Sequence, residues 1–268
     1  MMFLAYPFIF VLGAIIGSFL NVLILRYNTG RSLGGRSACN SCSAKLSWFE
    51  LIPIASFIFQ RGRCRSCMSA ISFQYLTVEL LTGIAFLAVA YRELPLFSSG
   101  IFYIPSVSQA SLLVVFCQFI IFPLLIAITV YDLRHKIIPD GFVWTFVAVS
   151  FVRLLAGPVP PTFYDFLAGP VLALPFVLMW LLSRGRAIGL GDAKIALGIG
   201  WMLGFAEGVS ALLLSFWIGG IVGLFLLLNW RKKFNMKSEV PFAPFMVAGV
   251  FLTYIFKFDF FGIKSIFW

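Results

Sequence analysis

A series of long apolar runs recurs from one end of this sequence to the other. About 18 or more apolar residues in a helix are enough to cross the hydrocarbon core of a bilayer. The series therefore predicts an all-α polytopic integral membrane protein with about eight transmembrane helices. The sixth run has too few residues to cross the bilayer at a helical rise of 1.5 Å per residue, so we expect this helix to be tilted, partly buried or re-entrant. The candidate spans lie at about residues 5–25, 71–90, 110–131, 141–156, 166–183, 193–206, 209–229 and 243–258.

A large soluble protein with several buried helices is the alternative, and composition argues against it. A soluble domain covers its surface with charged residues, which make up about 25% of an average chain. Here only 11% of the 268 residues are charged and 61% are hydrophobic. The first run, Phe3 to Leu25, lacks the basic start and small-residue cleavage site of a signal peptide, so we expect it to remain as the first span.

Basic residues are distributed unevenly among the loops that join the spans. The odd-numbered loops carry most of them, and the positive-inside rule then places these loops in the cytoplasm and both chain ends outside it. The net charge of +10 is thus a sign of topology. No basic stripe with interleaved aromatic residues occurs, so we predict no nucleic-acid partner. The basic residues of the odd-numbered loops are Arg26, Arg31, Arg36, Lys45, Arg61, Arg63, Arg65, Arg134, Lys136, Arg184, Arg186, Lys194, Arg231, Lys232, Lys233 and Lys237.

Four of the five cysteines form two C-x-x-C motifs within the polar insert 27–70. Cys39 and Cys42 are followed, after 21 residues, by Cys64 and Cys67. This spacing suits tetrahedral Zn–S₄ coordination, because each motif supplies two thiolates to one edge of the tetrahedron. A pair of disulfides is the alternative, but disulfides are rare in the reducing cytoplasm. All four ligands come from the protein and leave no position for water, so we expect a structural Zn²⁺.

Within the insert, an apolar and aromatic stretch runs from Trp48 to Phe59 and is interrupted by Glu50 and Pro53. We expect this stretch to lie at the membrane interface rather than to span the bilayer. The sequence then divides into three parts: a first transmembrane helix (1–26), a cytoplasmic zinc-binding loop (27–70) and a membrane-embedded core of about seven helices (71–268).

The chain has only ten acidic residues, and two of them stand at span ends on the predicted cytoplasmic edge. Asp132 lies where the third span ends, and Asp192 lies where the sixth begins, after Gly189 and Gly191. Two carboxylates at one site can share a proton, so that one activates water and the other polarises a carbonyl group. A helix cap, or an ion pair with a nearby Arg or Lys, is the alternative for either aspartate taken alone.

Helix ends predict how the pair shares its proton. Asp192 begins a helix, where free N–H groups favour an ionised carboxylate, whereas Asp132 ends one, where unpaired carbonyl groups disfavour charge. We therefore expect Asp192 to be the general base and Asp132 the protonated partner. The argument for Asp132 weakens if its helix continues past Arg134.

The remaining candidates have simpler interpretations. Asp140 is expected to be the N-cap of the fourth span. His135, the only histidine, has no nucleophile motif beside it and is expected to be a solvated loop residue. Glu79 lies inside the second span, so it needs a partner or a polar cavity. Cys117 is alone in the third span and is expected to serve packing.

Taken together, these motifs resemble those of the type IV prepilin peptidases. The G-x-G-D element alone also resembles that of presenilin and of archaeal preflagellin peptidases, but the cysteine loop separates the chain from both. The resemblance covers nearly the whole chain. It is carried by Gly17–Val22 with Arg26, the paired C-x-x-C loop, Val78–Gly83, the surroundings of Asp132, Gly189–Asp192 and Pro241–Phe245.

The resemblance implies an aspartic endopeptidase of the bacterial inner (plasma) membrane. Such an enzyme removes the short basic leader of type IV prepilins or pseudopilins at the cytoplasmic face. The family's catalytic pair falls on Asp132 and Asp192, and its metal tetrad falls on the four clustered cysteines. The resemblance also implies N-methylation of the new N-terminus with S-adenosylmethionine, for which the sequence shows no G-x-G-x-x-G loop.

Three other functions are compatible with parts of the sequence. Thr77, Ser41 and Ala243 depart from residues common in the family, which leaves open a peptidase without methyltransferase activity. A non-catalytic membrane zinc-binding assembly factor would need the cysteines but not the acidic pair. A transporter would be expected to carry polar groups near mid-bilayer and related halves, and neither is evident in the sequence.

Overall fold

The computed structural model describes residues 2–30, 34–93, 109–157, 159–186, 188–228 and 240–262. In these ranges the chain is helical, apart from its loops and two isolated antiparallel bridges. The all-α polytopic fold is therefore confirmed. The helices are α1 (Met2–Arg26), α2 (Ala55–Phe59), α3 (Phe73–Glu93), α4 (Gln109–His135), α5 (Asp140–Leu155), α6 (Phe163–Ser183), α7 (Leu190–Leu203), α8 (Phe205–Leu228) and α9 (Ala243–Phe256), with a 3₁₀ turn at Trp48–Leu51.

Each predicted span coincides with one of the eight long helices, but the helices differ in length. Five of them, α1, α3, α4, α6 and α8, are long and apolar enough to cross a bilayer. The chain is thus a multi-pass membrane protein. The other three, α5, α7 and α9, have 14 to 16 residues, which corresponds to about 21–24 Å. A total of eight spans stays a prediction.

The topology derived from basic residues also stays a prediction. Part of its support lies outside the described residues, namely Arg31, Arg231, Lys232, Lys233 and Lys237.

The chain forms two compact units, Met1–Phe102 and Tyr103–Trp268. In the first unit, α1 and α3 run antiparallel, because Gly13 lies against Gly83 whereas Gly17 lies against Glu79. Near one end of this pair, the fully buried Asn21 amide donates to the carbonyl groups of Gly17 and Tyr75, each at 3.3 Å. The cysteine loop joins the same ends of the two helices. The three-part domain division made from the sequence stays a prediction.

The second unit contains α4 to α9, and α7 lies among the others. A Cβ atom on Gly200 of α7 would lie 2.6 Å from the carbonyl oxygen of Ala168 in α6, so only glycine lets these two backbones approach so closely. Most side chains along α7 are buried, including Ile195, Ile199 and Met202. Contact with other helices explains why this helix is apolar although it is short.

The ends of α6 show how local sequence sets helix boundaries in this unit. The helix begins after Thr162, whose backbone N–H donates to Asp165 Oδ2 at 2.8 Å in a capping box. It ends where Arg184 takes a left-handed conformation with φ of 52°. The apolar length between these two signals sets the span.

Candidate active site and metal centre

Asp132 lies in the last turn of α4, and its side chain is buried at 5% exposure. The backbone N–H of Ala243 donates a hydrogen bond to its carboxylate. Ala243 is the first residue of α9, where the amides have no acceptor within their own helix and are available to an anion. The start of α9 therefore supplies a donor to Asp132.

Asp192 is the third residue of α7 and is buried at 7% exposure. Its carboxylate accepts a hydrogen bond from the backbone N–H of Gly189, the N-cap of the same helix, as in the second half of a capping box. One oxygen of this carboxylate, Oδ1, is buried without a hydrogen-bond partner among the described residues. A negative charge on a buried oxygen without a donor is costly.

The two aspartates lie close enough for the negative charge of Asp132 to act on Asp192. Both belong to the second unit, and both are buried. The structure thus brings together the pair that the sequence singled out, and a catalytic role for the pair stays a proposal. Charged groups with so little exposure require a partner or a shared proton.

The loop between α4 and α5 packs against the start of α7. A Cβ atom on Gly191 would lie 2.8 Å from Cβ and Cδ1 of Ile138, so glycine is required for this approach. Beside it, Lys194 of α7 forms an ion pair with Asp140 of α5, and its Nζ lies 5.4 Å from the centroid of the Trp144 ring. These contacts hold the helix that carries Asp192.

Two sequence expectations are corrected at this loop. Asp140 is not the N-cap of the fourth span: Pro139 takes the extended cap conformation, with φ of −74° and ψ of 118°, and Asp140 is the first helical residue. His135 is exposed but lies in the last turn of α4 rather than in a loop, and the centroid of its ring is 4.4 Å from that of Tyr131. The continuation of α4 through His135 also weakens the helix-end argument for a protonated Asp132.

The four clustered cysteines bring their Sγ atoms within 4.8 Å of one another, and the cluster could hold a metal ion. The Sγ atoms of Cys39 and Cys67 are 3.8 Å apart. This matches the edge of a tetrahedron with Zn–S bonds of about 2.3 Å, which is about 3.8 Å, and it far exceeds the bond length of a disulfide, about 2.05 Å. All five cysteines are free.

The two C-x-x-C motifs fold in the same way. The N–H of Cys39 donates to the carbonyl of Ala44 at 2.9 Å, and that of Cys64 donates to Ser69 at 2.8 Å. Each turn contains one residue with φ of 57°, Ser43 in the first and Met68 in the second. The repeated turn presents two sulfur atoms from each side, as a tetrahedral ion requires.

The surroundings of Cys39 and Cys67 favour thiolates, the form that binds metal. At Cys42 the hydrogen bond from the Ala44 backbone is outweighed by the neighbouring thiols and burial together, so its pKa is instead raised to about 11. Hydrogen bonds from the backbone amides of Cys42 and Ser41 lower the pKa of Cys39 to about 6, with the Ser69 hydroxyl adding to the effect. Hydrogen bonds from the side chain and backbone of Ser69 also lower the pKa of Cys67. The donor set therefore fits a structural divalent ion.

Glu79, the acid inside α3, has the partner that its position requires. Its Oε2 accepts a hydrogen bond from the backbone N–H of Ile54 at 2.7 Å, and the Ser18 side chain also bonds to it. Sequence reasoning missed Ile54, the Ala243 amide and the ion pair of Lys194. Only the Pro241–Phe245 motif signalled that the start of α9 has a special role.

Known proteins match both units of the chain. Residues 11–93 match the bacterial peptidase A24 N-terminal domain, and residues 119–224 match the type IV leader peptidase family. A Bacillus subtilis protein named prepilin leader peptidase/N-methyltransferase is 30% identical over 249 residues, which cover 92% of this chain and 93% of the relative.

Two further relatives carry the same name. The Myxococcus xanthus protein is 33% identical and is matched over 82% of this chain and 63% of its own length. The Burkholderia pseudomallei protein is 29% identical, over 93% of this chain and 84% of its own length. No solved structure matches the chain.

Proposed function

Because this chain belongs to the type IV leader peptidase family, we propose that Asp132 and Asp192 cleave the leader peptide of type IV prepilins or pseudopilins. The chain is an enzyme of this family, and its relatives are named for both peptidase and N-methyltransferase activity. The observation that carries the proposal is the buried aspartate pair, in which the charge of one carboxylate acts on the other.

The hydrogen bonds of the two carboxylates suggest a division of roles that differs from the one drawn from helix ends. Asp132 accepts a hydrogen bond from the backbone N–H of Ala243 at the positive end of α9. This hydrogen bond stabilises the ionised form of Asp132. Asp192 has a buried oxygen with no partner among the described residues, so a charge there would be poorly compensated. We therefore assign the charge at rest to Asp132 and the proton to Asp192.

This assignment gives a balanced sequence of proton transfers. Asp132 takes a proton from water while the water oxygen bonds to the scissile carbonyl carbon, and Asp192 gives its proton to the carbonyl oxygen. As the tetrahedral intermediate collapses, Asp132 returns a proton to the leaving amine and Asp192 regains one from the hydroxyl group. Both carboxyl groups end in their starting states, and no covalent enzyme intermediate forms.

The cysteine cluster has a separate part in the proposal. Cys39, Cys42, Cys64 and Cys67 would hold Zn²⁺, and the four-sulfur donor set supports this choice of ion. A bound zinc ion would join the two C-x-x-C turns and brace the loop. It leaves no open coordination position, so no chemical step passes through it.

Methyl transfer is proposed on family grounds, with S-adenosylmethionine as donor. The described residues contain no strand that leads through a glycine-rich turn into a helix, the usual nucleotide site, and so give no fit for this donor. We derive no step through it. For the location, we propose the bacterial inner membrane with the aspartates at the cytoplasmic face, on the basis of the distribution of basic residues.

The experiment that tests this function is co-expression of the chain with a candidate prepilin, followed by mass spectrometry of the mature N-terminus. Cleavage after the basic leader is expected, together with an added methyl group on the new amine. A cleaved but unmethylated product would identify a peptidase without the second activity. An intact leader on every prepilin or pseudopilin encoded beside the enzyme would contradict the proposal.

A further inference from the structure

The insert between α1 and α3 has an exposed apolar face that its own fold does not cover. Trp48 is 77% exposed and Phe59 is 86% exposed. Contiguous apolar surface of this kind marks a site of contact with another protein or with lipid. We call it the insert face; its residues are Trp48, Phe49, Ile52, Ile58, Phe59 and Met68.

The position of the insert face along α3 indicates that the face contacts lipid. The N–H of Ile54, between the 3₁₀ turn and α2, donates to Glu79 at 2.7 Å. Glu79 lies nearly two turns into α3, about 9 Å from the start of that helix. Since α3 is a candidate membrane span from Phe73 to Glu93, the segment lies beside the span rather than beyond its end. Interfacial helices lie at this depth, about 5–10 Å into the boundary between headgroups and acyl chains.

Charge next to the insert face selects the kind of lipid. Arg61, Arg63 and Arg65 follow α2, are exposed, and form no ion pair with the residues that the structure describes. The guanidinium carbon of Arg65 lies 5.4 Å from the centroid of the Phe49 ring. Residues 27–72 contain a single acid, Glu50, and its carboxylate is engaged by the N–H of Ser47 at 2.8 Å. The surface is therefore strongly cationic.

Between the insert face and the arginines lies a cavity of about 520 Å³. Phe49, Ile52, Phe59 and Met68 line its apolar walls, while Arg63 and Arg65 line its polar side. A cavity with apolar walls and guanidinium groups suits a molecule with an acyl chain and a phosphate, because arginine binds phosphate with paired hydrogen bonds. The basic leader of a prepilin has the wrong charge for it.

We propose that the insert face is seated in the bilayer and that Arg61, Arg63 and Arg65 bind the phosphate of an anionic phospholipid. The lipid would fix the cysteine loop against the membrane surface. This role requires neither the peptidase nor the methyltransferase activity, so it can fail or succeed independently of the proposed function.

The test compares two triple variants of the full-length protein. One variant replaces Arg61, Arg63 and Arg65 by Gln. The control variant makes the same replacement at three exposed basic residues of other loops, Lys136, Arg184 and Arg186. Native mass spectrometry of the purified proteins measures retention of phosphatidylglycerol against phosphatidylcholine. We expect the first variant to bind phosphatidylglycerol about a hundredfold more weakly, since each basic residue near an anionic surface contributes roughly a factor of five. The control should keep its affinity.

Three further readouts make the outcome decisive. Metal content of each variant reports whether the loop is intact. Quenching by brominated lipids, taken as the difference between the wild type and Trp48→Phe, reports whether Trp48 lies in the bilayer. Competition by water-soluble glycerol phosphate separates a lipid from a free phosphate. Equal lipid retention in both triple variants, an unquenched Trp48, or displacement by glycerol phosphate would each overturn the lipid proposal.

Discussion

At the scale of single residues, the two aspartates are distinguished by the atoms that surround their oxygens. Asp132 receives an amide from the start of a second helix, whereas Asp192 bonds within its own helix and keeps one buried oxygen unpartnered among the described residues. The contrast came from the three-dimensional contacts. Sequence position alone suggested the opposite assignment, because it could not show that α4 continues through His135 or that α9 begins beside Asp132.

The first prediction locates the resting proton. Infrared difference spectra of the wild type against each Asp→Asn variant should show that Asp192→Asn removes a protonated carboxyl band. The spectrum of Asp132→Asn should retain that band, because Asp192 still carries its proton. Loss of the band in Asp132→Asn alone would reverse the assignment and leave the shared-proton mechanism in place.

The second prediction concerns the cysteines. Cys39→Ser or Cys64→Ser should lose about one metal ion per chain, because a three-sulfur set no longer encloses the ion. Residues 27–70 should then be cut faster in limited proteolysis. The matched control is Cys117→Ser, since Cys117 is buried in α4 outside the cluster. Metal-free wild-type protein with full activity and a protected loop would argue against a structural ion.

At the scale of helices, the candidate active site is built where the end of α4 and the starts of α7 and α9 meet in the second unit. Helix starts supply free amides, and the close approach of Gly191 to Ile138 joins α7 to the loop before α5. The ion pair of Lys194 with Asp140 ties the starts of α7 and α5 together. Asp140 and Lys194 are positioning residues in this account, since they act through α7.

The third prediction tests that ion pair. Lys194→Met should lower kcat by about tenfold to a hundredfold with little change in KM, because a small displacement of a reacting group is costly whereas leader binding is untouched. The exchange variant Asp140→Lys with Lys194→Asp should recover part of the loss. Lys136 is an exposed lysine in the loop between α4 and α5, and the Lys136→Met variant should behave as the wild type. No recovery in the exchange variant, or an equal loss in Lys136→Met, would refute the positioning role.

The helices themselves were largely predictable from the sequence. Long apolar runs interrupted by charges and breakers placed all eight within a few residues, because burial in lipid or among helices imposes that pattern. The cysteine cluster was equally predictable, since four ligands at fixed spacing allow few arrangements. The contacts of Ala243 with Asp132 and of Ile54 with Glu79 could not be predicted. Each joins an acid to a backbone amide that is distant in sequence, and nearly every residue type carries such an amide.

At the scale of the whole molecule, the two units match two different family domains. The first unit holds the cysteine cluster, and the second holds the aspartate pair. The relatives are named for two activities. If the two activities use separate sites, they should respond to different substitutions.

The fourth prediction uses this separation. Asp192→Asn should abolish leader cleavage yet still methylate a pilin that has already been cut, because the aspartate is needed only for proton transfer at the scissile bond. Incorporation of labelled methyl groups from S-adenosylmethionine into pre-cut pilin measures the second activity alone. Loss of methylation in folded, metal-replete Asp192→Asn protein would instead indicate one shared site.

The cleavage rate of purified enzyme on a full-length prepilin shows whether the two buried aspartates cut the leader. Asp132→Asn and Asp192→Asn should each lower kcat by at least about a thousandfold, since each removes a proton-transfer group. The control is Asp165→Asn, because Asp165 also lies in the first turn of a helix but caps α6. It should keep nearly full activity. Substantial cleavage by either Asp132→Asn or Asp192→Asn protein would contradict the account.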